Sequence, residues 1–243
     1  MRVWGTTDVG NARQGRANQD AYEIRELSGG GVFVVCDGMG GAKGGEIASR
    51  EACRAFLAET EKLTGREDAR HLCQKASDAL DAANGAVWHK AQEDRALEGM
   101  GTTLAAVLAS QRGCVCVNVG DSRVYHLTAA GIRQISKDHS LVAEMVRRGE
   151  LSPLDAAHHP RRNVITRALG VERVVQADFA EITPAKGEYL VICSDGLYTE
   201  VTEPEIYYEI FHSGHPELAC ASLVHMANSR GGRDNITIIV ISF

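Results

Sequence analysis

The sequence predicts a layered α+β sandwich with mostly antiparallel sheets. Its short apolar runs come in clusters separated by tight turns, and they do not alternate regularly with helices. Several runs are apolar at consecutive positions, which indicates strands that are covered on both faces. A doubly wound parallel sheet is the alternative, and it is less favoured because the regular β-α-β order is missing.

Five runs rich in β-branched residues are predicted to be strands. They are Val32 to Cys36, Leu104 to Leu108, Val115 to Val119, Leu190 to Cys193 and Ile236 to Ile241. A further short strand is expected after Asp20. Two long helical patterns separate the early strands, Glu46 to Glu61 and Ala69 to about Ala91, and the second carries one apolar stripe of period 3.6. We expect each of these helices to cover a sheet.

The C-terminal third contains a second pair of predicted helices. Pro204 lies near the start of one, which runs through Phe211, and Pro216 opens the other, which runs through Ser229. Between the central and C-terminal strands, the segment 139–170 has a different pattern. It predicts one short amphipathic helix ending at Gly149 and a second one opened by Ser152-Pro153.

The 243 residues fit one domain, residues 1–243, because no repeat, low-complexity tract or linker marks a boundary. The net charge of -6 provides no basic field that would attract nucleic acid or an anionic membrane. There is no long apolar span and no signal-peptide pattern at the N-terminus, so a cytoplasmic location is expected.

The seven cysteines are scattered and odd in number, which predicts reduced thiols and not a disulfide framework. Cys114 and Cys116 are two apart in a predicted strand and share a face. A zinc site is the less favoured alternative for them, because no second Cys/His pair at zinc spacing completes it.

Aspartates recur where predicted apolar strands end. Asp37, Asp121 and Asp195 each follow such a run, Asp20 precedes a short strand, and Asp234 precedes the last strand. A single Asp-Gly is usually a turn. Strand ends in packed sheets gather on common edges, however, and carboxylates gathered there repel one another unless cations neutralise them. The joint occurrence therefore predicts a polynuclear metal site.

All-oxygen ligation favours magnesium or manganese over zinc or copper. The glycines after Asp37 let the backbone approach an ion and expose a carbonyl as an added ligand. This glycine-rich segment is not a nucleotide-binding Walker loop, because the Gly-Lys-Ser/Thr ending is absent.

Nine motifs, in order, closely resemble the PPM family, also called protein phosphatase 2C, in its compact bacterial form. They span nearly the whole chain: Asp8-x-Gly10, Asn18-x-Asp20, Asp37-Gly-Met-Gly-Gly41, Met100-Gly-Thr-Thr103, Gly120-Asp-Ser-Arg123, Asp138-His-Ser140, Ile165-Thr-Arg-Ala-Leu-Gly170, Ser194-Asp-Gly-Leu197 and Asp234-Asn235. The resemblance implies a four-layer α/β/β/α sandwich with two central sheets, and it identifies residues 140–162 with the family's mobile flap. His158 and His159, within this flap, are expected to be loop or helix-end residues, and His139 to be structural.

The resemblance also implies roles at the predicted metal site. Asp37 would bridge two Mn²⁺ or Mg²⁺ ions, with the Gly38 carbonyl and Asp20 supporting one ion. Asp195 and Asp234 would support the other ion, and Asp121 would help bind a third, weaker one.

The implied activity is that of a serine/threonine protein phosphatase, in which two cations activate water against a phosphoester. No Cys-x5-Arg loop follows any cysteine, which argues against a thiolate nucleophile. A phosphatase-like module that binds phosphoproteins or a kinase without turnover is the alternative, and loss of a ligand aspartate would favour it. A calcium-binding protein is a second alternative, but the Asp-x-Asp-x-Asp-Gly loop is absent. Phosphorylated proteins, and a cognate kinase, are the expected partners of a monomer.

One departure from the family pattern concerns the arginine that holds the substrate phosphate. Relatives space this region Arg-x-x-Asn-x-Asp, whereas two extra residues separate Arg13 from Asn18 here. The family's arginine lies five residues, an odd offset, before the ligand aspartate. Because side chains in an extended segment alternate faces, the resemblance implies an odd offset before Asp20 here. Arg13 keeps that parity and Arg16 reverses it, with Gly15 able to let the extra residues loop outward. Arg13 is therefore predicted to bind phosphate, and Arg16 to be a solvated surface charge.

Overall fold

Two antiparallel sheets lie at the centre of the molecule. The computed structural model describes residues 1–243 apart from the side chains of residues 42 and 43. The described residues form eleven strands: β1 (Arg2–Asp8), β2 (Asp20–Leu27), β3 (Gly30–Met39), β4 (Gly101–Thr102), β5 (Leu104–Ala109), β6 (Cys114–Val119), β7 (Arg123–Thr128), β8 (Gly131–Gln134), β9 (Asp178–Ile182), β10 (Tyr189–Cys193) and β11 (Ile236–Ser242).

One sheet has the order β1-β11-β10-β7-β8, and the other has the order β2-β3-β5-β6-β9 with β4 paired to the end of β3. All pairs of these strands are antiparallel. The doubly wound parallel sheet, our alternative from the sequence, is therefore wrong.

Seven α-helices occur in the described part of the chain. They are α1 (Gly41–Glu59), α2 (Ala69–Glu93), α3 (Leu141–Arg147), α4 (Pro153–His158), α5 (Asp195–Tyr198), α6 (Glu203–Ser213) and α7 (Pro216–Ser229). The long predicted helices are thus present, although α1 begins five residues before the predicted Glu46. None of the helices in the described residues combines the length and apolar character that a membrane crossing needs.

Strand alternation sorts the core into three apolar layers. In β3, Val32, Val34 and Cys36 pack against α1 and α2, whereas Phe33 and Val35 point into the space between the sheets. In β11, Ile238 belongs to the layer under α6 and α7. Ile239 and Ile241 meet the other sheet. Because both faces of each central strand are buried, the architecture is the four-layer α/β/β/α sandwich that the sequence predicted.

The two small predicted helices after residue 139 are also present. Ser140 begins α3, where its side chain accepts a hydrogen bond from the Ala143 N–H, and Ser152 caps α4 in the same way. Pro153 occupies the first turn of α4, where the missing N–H costs no helical hydrogen bond.

The layer between the sheets should contribute strongly to the folding stability. Phe33 is fully buried there, so Phe33→Ala should lower the free energy of unfolding by about 3–5 kcal/mol in urea titrations. Phe179→Ala is the matched control, because Phe179 is 39% exposed on β9. Its cost should be well below half as large, and equal costs for the two variants would contradict the assigned layer.

Candidate metal centre

Two of the predicted ligands face each other across neighbouring strands. Asp20 is the first residue of β2 and pairs in register with Asp37 near the end of β3. Directly opposite residues in an antiparallel pair have Cβ atoms about 5 Å apart. The backbone of Asp37 is held in place by two threonines: its N–H donates to Thr103 Oγ1 at 2.9 Å, and its carbonyl accepts from Thr102 Oγ1 at 2.9 Å.

Asp20 is held by donors from the opposite sheet. Its Oδ2 accepts from Ser194 Oγ at 2.7 Å and from Thr237 Oγ1 at 2.6 Å. Its Oδ1 is buried and has no hydrogen-bond partner among the described residues. The two sheets therefore meet at this carboxylate, and one of its oxygens remains available.

Asp195 and Asp234 come from the other sheet. Asp195 follows β10 and is the first residue of α5, and its Oδ1 is likewise buried without a partner in the described structure. Asp234 precedes β11. The adjacent Asn235 accepts from the Gln19 N–H at 2.8 Å and donates to the Val9 carbonyl at 2.9 Å, so this end of the sheet is fastened to the chain just before Asp20.

The backbone at Gly38 lies too close to its neighbours for any side chain. A Cβ added there would lie 2.0 Å from the Gly45 carbonyl oxygen and 2.6 Å from that of Gln19. The Gly38 N–H donates to the same Gln19 carbonyl at 3.0 Å. The start of α1 is thereby packed directly on the segment that follows Asp37.

Asp121 follows β6 and is 7% exposed. Tyr198 of α5 donates its hydroxyl proton to the Asp121 backbone carbonyl at 3.0 Å. Asp121 is thus tied to the helix that carries Asp195, so all the predicted aspartates share one region.

The electrostatics of this region follow from crowding buried acids. Burial, and then the charges of Asp20 and Asp195, raise the pKa of Asp37 well above its ordinary value. Burial also raises the pKa of Asp195 strongly, and the charge of Asp121 is the next-largest cause. The pKa of Asp20 and of Asp121 rises to about 6, again mainly through burial. Such a cluster favours either protons or cations.

Arg13 is the cation that the described structure brings to these acids. Its Nη1 donates to Asp234 Oδ1, and its Nη2 donates to Gln19 Oε1 at 3.2 Å. Arg16 is exposed, and its side chain has no hydrogen-bond or ion-pair partner among the described residues. Arg13 therefore lies beside the cluster as predicted. The parity argument does not explain this placement, because Arg13 ends a short 3₁₀ helix (Asn11–Arg13) and turn residues follow it, so the chain before Asp20 is not extended as that argument assumed.

Comparison with known proteins gives the same assignment as the motifs. The sequence profile of the family described as Protein phosphatase 2C matches residues 9–226. The chain belongs to the protein phosphatase 2C family. A serine/threonine phosphatase stp of Listeria monocytogenes is 38% identical over 211 residues, which are 86% of this chain and 83% of that protein.

Solved structures extend the family likeness to the whole fold. The serine/threonine phosphatase PstP/Ppp of Mycobacterium tuberculosis superposes with a TM-score of 0.88 at 30% identity, covering 100% of this chain and 98% of that one. A PstP catalytic domain in complex with two manganese ions has a TM-score of 0.83 at 30% identity, covering 98% and 96%. Phosphatase 2C enzymes are metal-dependent hydrolases, which makes the chemistry of the donor atoms at this cluster decisive.

The donor set fits hard divalent cations. Every predicted side-chain ligand is a carboxylate, and two buried carboxylate oxygens, Asp20 Oδ1 and Asp195 Oδ1, have no partner in the described structure. An unpaired buried carboxylate oxygen is costly, and a cation removes that cost. Among the described residues, no three His, Cys, Asp or Glu side chains are already arranged as a metal site, so these carboxylates would have to reorient to bind cations.

The sequence did not reveal the residues that support the aspartates. Arg123 makes a bidentate pair with Asp138, with Nη2 to Oδ2 at 2.7 Å, and lies 3.7 Å from the centre of the Tyr198 ring. Arg123 and Asp138 fall in the quoted motifs, which was the available signal, but nothing in the sequence pairs them with Tyr198.

Three histidines near the flap occupy structural or helix-end positions. His139 is 2% exposed, and its Nδ1 accepts from the Gly120 N–H at 3.1 Å. Burial, and then Arg167, lower its pKa. His158 ends α4 and is exposed, and His159 follows it and is half-buried. This placement agrees with the structural and helix-end interpretations.

The close packing at Gly38 can be tested with two helical glycines. A Cβ at Gly45 would lie 2.6 Å from the Gly38 carbonyl oxygen, whereas a Cβ at Gly85 of α2 meets nothing within 4 Å. Gly45→Ala should therefore weaken manganese binding at least about tenfold in calorimetry, because a predicted ligand is displaced. Gly85→Ala should bind like wild type and be more stable by up to about 1 kcal/mol. Equal manganese affinities in the two variants would contradict this account.

The pKa of Asp20 predicts how stability depends on pH. Folding raises it from 3.8 to about 6, so the contribution of Asp20 to the stability of metal-free protein is fully present below about pH 4 and is lost as the pH rises towards about 7. Manganese binds the ionised form, so the rise in melting temperature on adding it should grow over the same window. Thermal unfolding with chelator and with manganese measures this difference, and a constant or shrinking difference would refute the prediction.

Proposed function

We propose that this chain hydrolyses phosphoserine and phosphothreonine in proteins at a two-cation centre built on the aspartate cluster. One observation carries the proposal: buried carboxylates from both sheets crowd together, and two of their oxygens have no partner among the described residues. Such an arrangement is stable only with added positive charge. Family membership supplies the reaction class.

The ligand assignments made from the resemblance remain our proposal. Asp37 would bridge two ions, the Gly38 carbonyl and Asp20 would hold one, and Asp195 and Asp234 the other. Asp121 would contribute to a third, weaker site. Bound divalent cations lower the pKa of water and offset the charge of phosphoryl oxygens. Mn²⁺ is the first choice, because a PstP catalytic domain is described with two manganese ions, and Mg²⁺ suits the same oxygens.

Arg13 is proposed to hold the phosphate of the substrate. Its guanidinium already lies at the cluster, its Nε is buried without a partner in the described structure, and a planar guanidinium can donate two parallel hydrogen bonds to a phosphate. The proposal assigns Arg16 no role in the reaction.

The binding-module alternative is disfavoured, because all the predicted ligand aspartates are present. Phosphorylated proteins are the proposed substrates of a monomer, and a serine/threonine kinase is the proposed opposing enzyme. The seven cysteines are free thiols and most are buried, which suits the reducing cytoplasm that we propose as its location.

Activity should depend on added metal. Hydrolysis of a phosphoserine peptide should require Mn²⁺ or Mg²⁺ and stop in excess chelator, because open carboxylate sites release such ions readily. Asp37→Asn, which removes charge from the proposed bridging ligand, should lower kcat by at least about a hundredfold. Full activity in excess chelator, or wild-type turnover by Asp37→Asn, would refute the two-cation centre.

The two arginines form a matched pair of variants. Arg13→Ala should raise KM for a phosphopeptide by about tenfold or more, as expected when a phosphate-binding cation is lost. Arg16→Ala should stay close to wild type. Steady-state kinetics with one peptide decide the assignment, and the reverse ranking would reject it.

A further inference from the structure

A cavity of about 380 Å³ lies beside the metal centre and has no assigned role. We call it the side cavity. Met39 forms one wall, and residues from the segment 165–176, which follows the two small helices, form the rest. Its apolar lining includes Ile165, Val171, Val174 and Val175.

The side cavity is joined to the metal centre by hydrogen-bonded backbone. Gly38 and Met39, directly after Asp37, pair with Thr102 and Gly101 of β4. Thr102 in turn exchanges two backbone hydrogen bonds with Leu169, at 3.1 and 2.8 Å. Neighbouring strands are about 4.8 Å apart, so the segment at Leu169 lies about 10 Å across from the Asp37-Gly38 backbone. An extended peptide covers that distance in about three residues.

The rim of the side cavity carries exposed valines, although the lining also includes the polar side chains of Thr166, Arg167, Glu172 and Gln176. Val171 is 52% exposed and Val174 is 73% exposed, and both line the cavity. The free energy gained by removing such side chains from water makes grouped exposed apolar residues a mark of binding sites.

A buried amide on helix α2 holds the cavity wall. Asn84 is 2% exposed. Its Nδ2 donates to the carbonyls of Glu172 and Arg173 at 3.1 and 3.0 Å, and its Oδ1 accepts from the Gly170 N–H at 2.8 Å. One side chain thus satisfies three backbone groups of a segment that has no helix or strand of its own. Such full pairing fixes the wall's shape.

We propose that the side cavity receives an apolar side chain of the phosphoprotein, two or three residues from the phosphorylated residue, and that Asn84 positions its wall. The inference rests on the proposed phosphatase function. We assign the occupant to the substrate because the cavity adjoins the metal centre. A phosphoprotein segment whose phosphate lies at the cations must also contact one of the surfaces next to them. This one offers a recess rimmed by exposed valines at the right distance.

The test uses a series of phosphoserine peptides. Each peptide carries one leucine, and its position varies across the series from three residues before the phosphoserine to three residues after it. Para-nitrophenyl phosphate, which has no flanking residues, serves as the second substrate. In wild type, leucine at a position two or three residues away should raise kcat/KM about tenfold, through KM. Val174→Asp should abolish that preference and leave turnover of para-nitrophenyl phosphate unchanged. Asn84→Ala should do the same.

Val164→Asp is the matched control, because Val164 is 45% exposed in the same part of the chain and does not line the cavity. It should keep the leucine preference. Equal turnover at every leucine position, or a preference that survives Val174→Asp, would overturn the inference while the phosphatase function stands. Wild-type protein that turns over neither the peptides nor para-nitrophenyl phosphate with manganese would instead overturn the proposed function, and this inference with it.

Discussion

The repulsion among buried aspartates is the constraint on which the rest of the structure depends. Asp20 and Asp37 come from one sheet, and Asp195 and Asp234 come from the ends of strands in the other, so the sandwich closes only by bringing acids together. Burial and mutual charge raise several of their pKa values. Hydroxyls from one sheet that donate to Asp20 of the other offset part of this cost. Cations would offset the remainder, and in doing so would supply the chemistry.

The inner strands and long helices could be predicted from the sequence because burial dictates their composition. Strands β3, β5, β6, β10 and β11 are covered on both faces and are therefore continuous apolar runs. Strands β1, β8 and β9 lie at sheet edges, with one neighbour each, and polar residues interrupt them. Strand β7 lies inside its sheet, but its buried His126, paired with Glu188 at 2.8 Å, breaks the apolar pattern.

The residues of the candidate site also fall into those that the sequence predicts and those that it does not. The aspartates could be predicted because each follows or precedes an apolar run, a signal contained in local sequence. The residues that hold the aspartates in place could not be predicted. Ser194 and Thr237 donate to Asp20 across the space between the sheets, and they are 174 and 217 residues away from it in the sequence. No local pattern encodes such a pairing. Arg13 lies between these cases. The choice of Arg13 over Arg16 agrees with the structure, but strand parity was the wrong reason, because Asn11–Arg13 is a 3₁₀ helix followed by a turn.

The metal centre and the side cavity are held by different parts of the structure. This difference explains how one fold could act on different phosphoproteins. The aspartates are carried by strand ends that the core holds rigidly, so the geometry for the reaction varies little. The wall of the side cavity is a segment without helix or strand, hydrogen-bonded to β4 through Leu169 and to α2 through Asn84. Changes to Val171 or Val174 on its exposed side alter neither anchor. Substrate preference can therefore change by surface substitution in this segment while the metal centre, one strand away, stays intact.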